Sequence, residues 1–318
     1  MNKLFFIFII AIILFSCTDD FTIKTKDTDA RIVFAGAITN EEGPYFVRVS
    51  LSTPSDNNVS GNTGISDALV IISDNKGTLD TLKPFNPTIE VHPKWVFEYF
   101  TIKKYSGVID TIRSSTSYSS SFRGVYYTTK IKGTPGNKYT LYVKYKDKVV
   151  MATDSMPNVA AIDSVKFITR TLSKDGDHFL APYIYFKEPL NEKNYYMMNF
   201  GDDDINGLIT GTSRVWSFSI LDDNNLPAYV NGLNIDDGIS PVSFEDFFYP
   251  SAGSMATIRL LSLSPKAYEF FKSLVSQFDN DGGAYTPSPT SPPSNLSGNA
   301  LGFFRASAVS ERKVLVTE

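Results

Sequence analysis

Two stretches of this chain alternate so regularly that only an extended backbone accommodates them. In residues 139–146, Tyr139, Leu141, Val143 and Tyr145 fall on one side and Thr140, Tyr142, Lys144 and Lys146 on the other. In residues 45–51, Tyr45, Val47, Val49 and Leu51 oppose Phe46, Arg48 and Ser50. A side-chain period of two is the mark of a strand with one buried face. Further strands are predicted at residues 31–38, 68–73, 78–82, 95–102, 107–112, 124–129 and 149–153. Turn-forming Asp74-Asn75-Lys76-Gly77 and Gly136-Asn137 punctuate them. Tyr and Phe, at 17 and 24 residues, carry the apolar content, while 20 Gly and 17 Pro break it into short runs. The expectation is an all-β protein.

A chain of 318 residues is long enough for two domains. Residues 30–156 read as an immunoglobulin-like β-sandwich, from short strands with frequent turns. Met156-Pro157 marks the boundary, because proline disfavours helix in the residue before it. Residues 157–318 read as a second, β-rich domain with strands near 162–168, 182–187, 195–200, 215–221, 258–263, 301–309 and 314–316. That domain carries one amphipathic helix near 265–278. Ser264 is its N-cap and Pro265 its first residue, and Ala267, Tyr268, Phe271, Leu274, Val275 and Phe278 form one apolar stripe. The stretches 114–121, nearly all serine, and 286–297, rich in Pro and Ser, read as loops.

The amino terminus is an address rather than structure. Lys3 precedes an apolar run over residues 4–15, far shorter than the ~20 residues of a spanning helix. Residues 1–16 therefore read as a secretory signal peptide. The run ends in Leu14-Phe15-Ser16-Cys17, which resembles a bacterial lipobox, and Cys17 is the only cysteine of the chain. Lipidation of the Cys17 thiol is the expected modification, with several acyl chains giving an anchor that does not dissociate. Residues 17–29 read as a polar tether. Its Thr18-Asp19-Asp20 resembles a signal that moves some lipoproteins to the cell surface.

No motif for chemistry stands out. Net charge is -4 with no basic stripe, which argues against nucleic acid as a partner. A single cysteine excludes an intramolecular disulfide. The two histidines, His92 and His178, fall in different predicted domains without metal-binding or catalytic neighbours and read as exposed loop residues. Neither a phosphate-binding glycine loop nor a serine elbow is present. Asp279-Asn280-Asp281-Gly282 opens like a calcium loop, but Ala284 and Thr290 stand where an EF-hand needs Gly and Glu. The acidic turns Asp202-Asp203-Asp204, Asp222-Asp223 and Asp236-Asp237 read as solvated. Tyr126-Tyr127, Tyr195-Tyr196 and Tyr249 are either a stacking platform for a ligand or core residues, with core favoured in alternating strands. The triplets Asp80-Thr81-Leu82, Asp110-Thr111-Ile112, Asp154-Ser155-Met156 and Asp163-Ser164-Val165 resemble a bacterial O-glycosylation signal. No catalytic residue, metal ligand or cofactor is therefore expected beyond the covalent lipid on Cys17.

Several segments, in order, resemble one family. They are residues 36–40 with 47–50, residues 65–74, Gly124-Val125-Tyr126-Tyr127, residues 136–141, and Met156-Pro157 with Ile162-Asp163-Ser164-Val165. The most specific are Leu263-Ser264-Pro265-Lys266-Ala267-Tyr268-Glu269-Phe270-Phe271, Asn295, and Leu301-Gly302-Phe303-Phe304-Arg305-Ala306-Ser307. Together they resemble the outer-membrane lipoprotein family known as domain of unknown function 4249, associated with TonB-dependent receptors. The resemblance implies a non-enzymatic, lipid-anchored protein exposed at the cell surface, assisting nutrient binding or uptake by a TonB-dependent transporter. The alternative is a surface adhesion or structural lipoprotein without a small-molecule ligand. The family supplies no catalytic residues to carry over.

Overall fold

The computed structural model describes residues 29–52, 63–85, 101–103, 109–111, 123–171, 178–201, 218–240, 252–253, 255–278 and 291–317. Among them the first half contributes β1 (Ile32–Thr39), β2 (Phe46–Leu51), β3 (Thr63–Gly64), β4 (Leu69–Asp74), β5 (Leu79–Thr81), β6 (Lys83–Pro84), β7 (Thr101–Lys103), β8 (Ile109–Thr111), β9 (Val125–Tyr127), β10 (Lys138–Tyr145) and β11 (Lys148–Ser155). The second half contributes β12 (Ile162–Thr171), β13 (His178–Lys187), β14 (Tyr195–Gly201), β15 (Phe218–Asp222), β16 (Tyr229–Leu233), β17 (Met255–Ser262), α1 (Pro265–Phe278), β18 (Leu301–Ser307) and β19 (Val309–Leu315). The protein is all-β with a single α-helix among the described residues.

The alternation found in the sequence decides the first sandwich. One sheet runs β18-β1-β2-β9-β6, with β3 on β2, and the facing sheet runs β11-β10-β4-β5. Phe34, Val47 and Val49 from the first meet Val70, Ile72, Leu141 and Val143 from the second in one core. Phe46, on the other side of β2, packs with Phe85 and Tyr127 at centroid distances of 5.6 and 6.3 Å. Both sides of β2 are thus covered.

The second half has three layers. A sheet of order β12-β13-β16 faces a sheet of order β15-β14-β17-β19. Ile184 and Phe186 pack there against Tyr196, Met198, Ile258 and Leu260. The other face of the four-stranded sheet presents Met197, Ile220 and Leu261 to Ala267, Tyr268 and Val275 of α1. The helix begins where expected: Ser264 Oγ accepts the Ala267 N–H at 3.1 Å, an N-cap contact. Pro182 sits inside β13 at a position paired only with β12, while β16 joins from Ile184 onward. A proline is tolerated where one edge needs no ladder bond.

The chain does not stay on its own side of Met156-Pro157. β18, near the carboxyl end, pairs in parallel with β1, from Val33↔Leu301 to Thr39↔Ser307. It is therefore part of the first sheet, although the sequence places it with the second domain. Its faces divide between the two halves. Phe304 and Ala306 enter the first core, and Phe303 enters the layer under α1. The first sandwich is completed by the end of the chain, so residues 30–156 do not hold the whole of it.

Candidate functional site

Each half bears a surface cleft among the described residues. The larger, of about 440 Å³, is lined by Glu42, Pro44, Tyr127 and the segment 128–132. Residues 129–131 of its lining are held by Asp80. This fully buried carboxylate accepts the N–H groups of Thr129, Lys130 and Ile131 at 2.7, 2.7 and 3.0 Å, and the Thr129 hydroxyl at 2.8 Å. Burial acts to raise the Asp80 carboxyl. The Lys130 and Ile131 N–H groups and the contacts from Thr129 outweigh it and hold the group below the usual carboxylate range. Asp80 was singled out in the sequence only as part of an Asp-Thr-Leu triplet. In the fold it is the clamp that shapes the 129–131 turn, and Thr81 beside it is exposed.

The second cleft, of about 380 Å³, lies under the loop joining β13 to β14 and is lined by residues 188–193 with Asp223 and Leu226. Glu188 is buried there, accepting the Tyr196 hydroxyl at 2.9 Å and the Asn194 amide at 3.0 Å. Burial raises the Glu188 carboxyl, and the bonds from Tyr196 and Asn194 offset this only in part. Lys193 is bound to Asp223, reaches Asp222 at 3.5 Å and donates to Asn224 at 2.7 Å. A perturbed acid in a cleft is a candidate for chemistry. Here, however, the acid bonds to the amide and the phenol, and the lysine to Asp223 and Asn224. They fix the loop and leave the rim, including exposed Leu190, to meet a ligand.

The remaining sequence candidates are dispersed. Tyr126 and Tyr196 are core residues, and burial, the main cause, pushes the Tyr126 phenol up to about 12. Tyr195 packs on Tyr268 at 4.7 Å, beneath α1. His178 is exposed at the start of β13, its Nδ1 3.0 Å from the Thr171 hydroxyl. Asp222 caps a short 3-10 turn and Asp236 pairs with Arg170. Among the described residues no group of three His, Cys, Asp or Glu is placed to hold a metal ion. Cys17, His92, Tyr249, Asp202-Asp203-Asp204 and the turn at 279–282 lie outside the described residues.

The most specific of the segments that carried the resemblance, around Ser264, Phe271, Asn295 and residues 301–307, meet at one place, the joint between the halves. Asp154, on β11, accepts the Ala306 N–H of β18 at 2.8 Å. Burial raises its carboxyl, countered by the Ser264 hydroxyl at the cap of α1 and by Arg305 nearby. Arg305 donates to Met197 Sδ at 3.0 Å and stands over the Phe271 ring at 5.7 Å. The Asn295 amide bonds both to Phe304, accepting its N–H at 3.1 Å and donating to its carbonyl at 2.7 Å. The task of these residues, joining two sheets distant in sequence, leaves no local periodic signal.

Such an arrangement defines a two-part β protein with shallow, loop-lined clefts. The chain matches the family described as Domain of unknown function (DUF4249) over residues 18–313, and it belongs to that family. No curated protein matches it.

Proposed function

We propose that the protein is a lipid-anchored, non-enzymatic accessory of the outer membrane that works with a TonB-dependent transporter in nutrient binding or uptake. The observation that carries this reading is the sequence at the amino terminus. An apolar run over residues 4–15 ends in Leu14-Phe15-Ser16-Cys17, and the family match starts at residue 18. A diacylglyceryl thioether on Cys17 holds the protein at the membrane surface. Confinement beside a barrel raises the effective concentration of one for the other, so a modest interface suffices. The clefts support binding over catalysis, because the Glu188 and Asp80 carboxylates are committed to holding their own loops.

Cys17→Ala is expected to release the protein from the outer membrane. Fractionation followed by immunoblotting checks this, and undiminished retention of the variant rules the lipid anchor out. Affinity recovery of the wild-type protein from detergent-solubilised outer membranes is expected to bring a TonB-dependent barrel in near-equal amount. Recovery of the protein alone favours an adhesion or structural role.

A further inference from the structure

The outward face of the sheet β11-β10-β4-β5 differs from the rest of the surface. Its register sets Met151 and Ile71 on either side of Tyr142, and Val149 and Leu69 on either side of Lys144. Leu69, Leu79, Val149 and Met151 are 43%, 56%, 43% and 48% exposed, in a fold whose other apolar strand faces are mostly covered. Adjacent apolar side chains left open in this way mark a surface that meets another phase or molecule. No Asp or Glu projects outward from these four strands among the described residues, although the whole chain is net negative. At one end of the face stand exposed Lys144 and, in the β10–β11 turn, Lys146 beside Asp147, while Lys148 pairs with Tyr145 on the opposite side.

The chain enters the fold beside this face. Arg31 donates to Asn299 Oδ1 at 3.1 Å. Two residues earlier, Ser297 clasps the edge strand, giving its N–H to the Met151 carbonyl and accepting the Met151 N–H on its hydroxyl, both at 2.8 Å. Asp29, the first described residue, follows Cys17 by twelve positions (29 − 17). Fully extended, that length spans at most about 40 Å. The first described residues thus lie near the β11 edge of the sheet that bears the apolar, basic face, within a tether's reach of it.

We propose that the outward face of β4, β5, β10 and β11 rests on the bilayer in which the Cys17 lipid is inserted, with Leu69, Val149 and Met151 at the headgroup–acyl boundary and Lys144 and Lys146 on anionic phosphates. This rests on the reading of Cys17 as the lipidated residue. Each lysine near an anionic surface strengthens attachment, and the apolar side chains add burial that a tether alone does not supply. Held flat, the sheet fixes the height and tilt of the protein at the membrane.

The test uses the full lipidated protein with Met151→Cys, whose new thiol is the only free one once Cys17 is blocked as a thioether. The thiol is labelled with an environment-sensitive dye, and the protein is reconstituted on vesicles of phosphatidylethanolamine and phosphatidylglycerol. Blue-shifted emission, and loss of more than half of it to a headgroup-region nitroxide lipid, are expected. The same dye at Leu190→Cys, a residue 67% exposed, is expected to keep its aqueous spectrum. Combining Lys144→Glu and Lys146→Glu is expected to reduce the Met151-site quenching several-fold. Vesicle-bound protein with an aqueous, unquenched dye at position 151 overturns the proposal and leaves the anchor standing. Protein that fails to float with the vesicles overturns the anchor, and the proposal with it. Protection at 151 seen only in native outer membranes, and not on lipid alone, overturns it in favour of a protein occupant.

Discussion

Buried carboxylates set the pH behaviour of this protein, and they pull in opposite directions. Asp80 sits among three backbone N–H donors and its ionised form is favoured. Its folded-state pKa lies below the unfolded value of about 3.9. Its stabilisation is therefore present above that value and is lost as pH falls through the folded pKa. Glu188, raised chiefly by burial, does the reverse: its contribution is complete below the unfolded value and declines as pH rises through the folded one. Asp80→Asn replaces one acceptor oxygen by an NH2 group that faces N–H donors. At pH 7 it is expected to cost about 1–3 kcal/mol in urea unfolding. The gap from wild type should narrow as the pH is lowered toward 3, and a gap independent of pH refutes the assignment. None of this was legible in the sequence. In Thr78-Leu79-Asp80-Thr81-Leu82 a leucine falls on each face, so either face could turn inward, and only the return of residues 129–131 from across the sandwich decides it.

Elements with a strong local signal are legible in the sequence, whereas the pairing of strands with partners distant in the chain is not. The helix was legible from Ser264-Pro265 and the stripe through Val275, and α1 spans Pro265–Phe278 as expected. Strand β10 was legible because one face is core and the other open. Residues 301–309 gave only an apolar run, since Phe303 and Phe304 are both buried and no alternation survives. Its parallel pairing with β1 joins opposite ends of the chain and leaves no trace in local pattern. The register of β18 depends on Gly302, which has φ +99 and faces Phe34, where an added Cβ would lie 1.9 Å from the Phe34 carbonyl oxygen. Gly302→Ala is expected to cost about 3 kcal/mol or more, from backbone strain and overlap together. Gly77 provides the control: its φ is +97, but nothing lies within 4 Å of the added carbon. Gly77→Ala should cost only the left-handed conformation, about 1–2 kcal/mol. Equal effects in chemical denaturation contradict the packing role given to Gly302.

The chain folds as a loop closed on itself, with β18 returned to β1, and this makes the two halves interdependent. Chains of this size with more than one core commonly unfold in separate steps. Here the first core and the layer under α1 share a strand, because Phe304 belongs to one and Phe303 to the other. Polar contacts lock the same joint. The Asn40 amide accepts the Val309 N–H at 2.6 Å, and the Ser262 hydroxyl accepts the Ala308 N–H and donates to the Pro157 carbonyl, both at 2.9 Å. Opening either half frees β18 and exposes apolar surface of the other. The expected calorimetric trace is one transition. Phe304→Ala and Phe303→Ala should each remove about 3–5 kcal/mol. Both should shift that single transition downward, although the two rings point into different cores. Two resolved transitions, with Phe304→Ala moving one and Phe303→Ala the other, would show that the shared strand does not couple the halves. A single transition means that a partner or a bilayer gripping the first sandwich stabilises the clefts and helix of the second, since free energy gained at one end of β18 is available at the other.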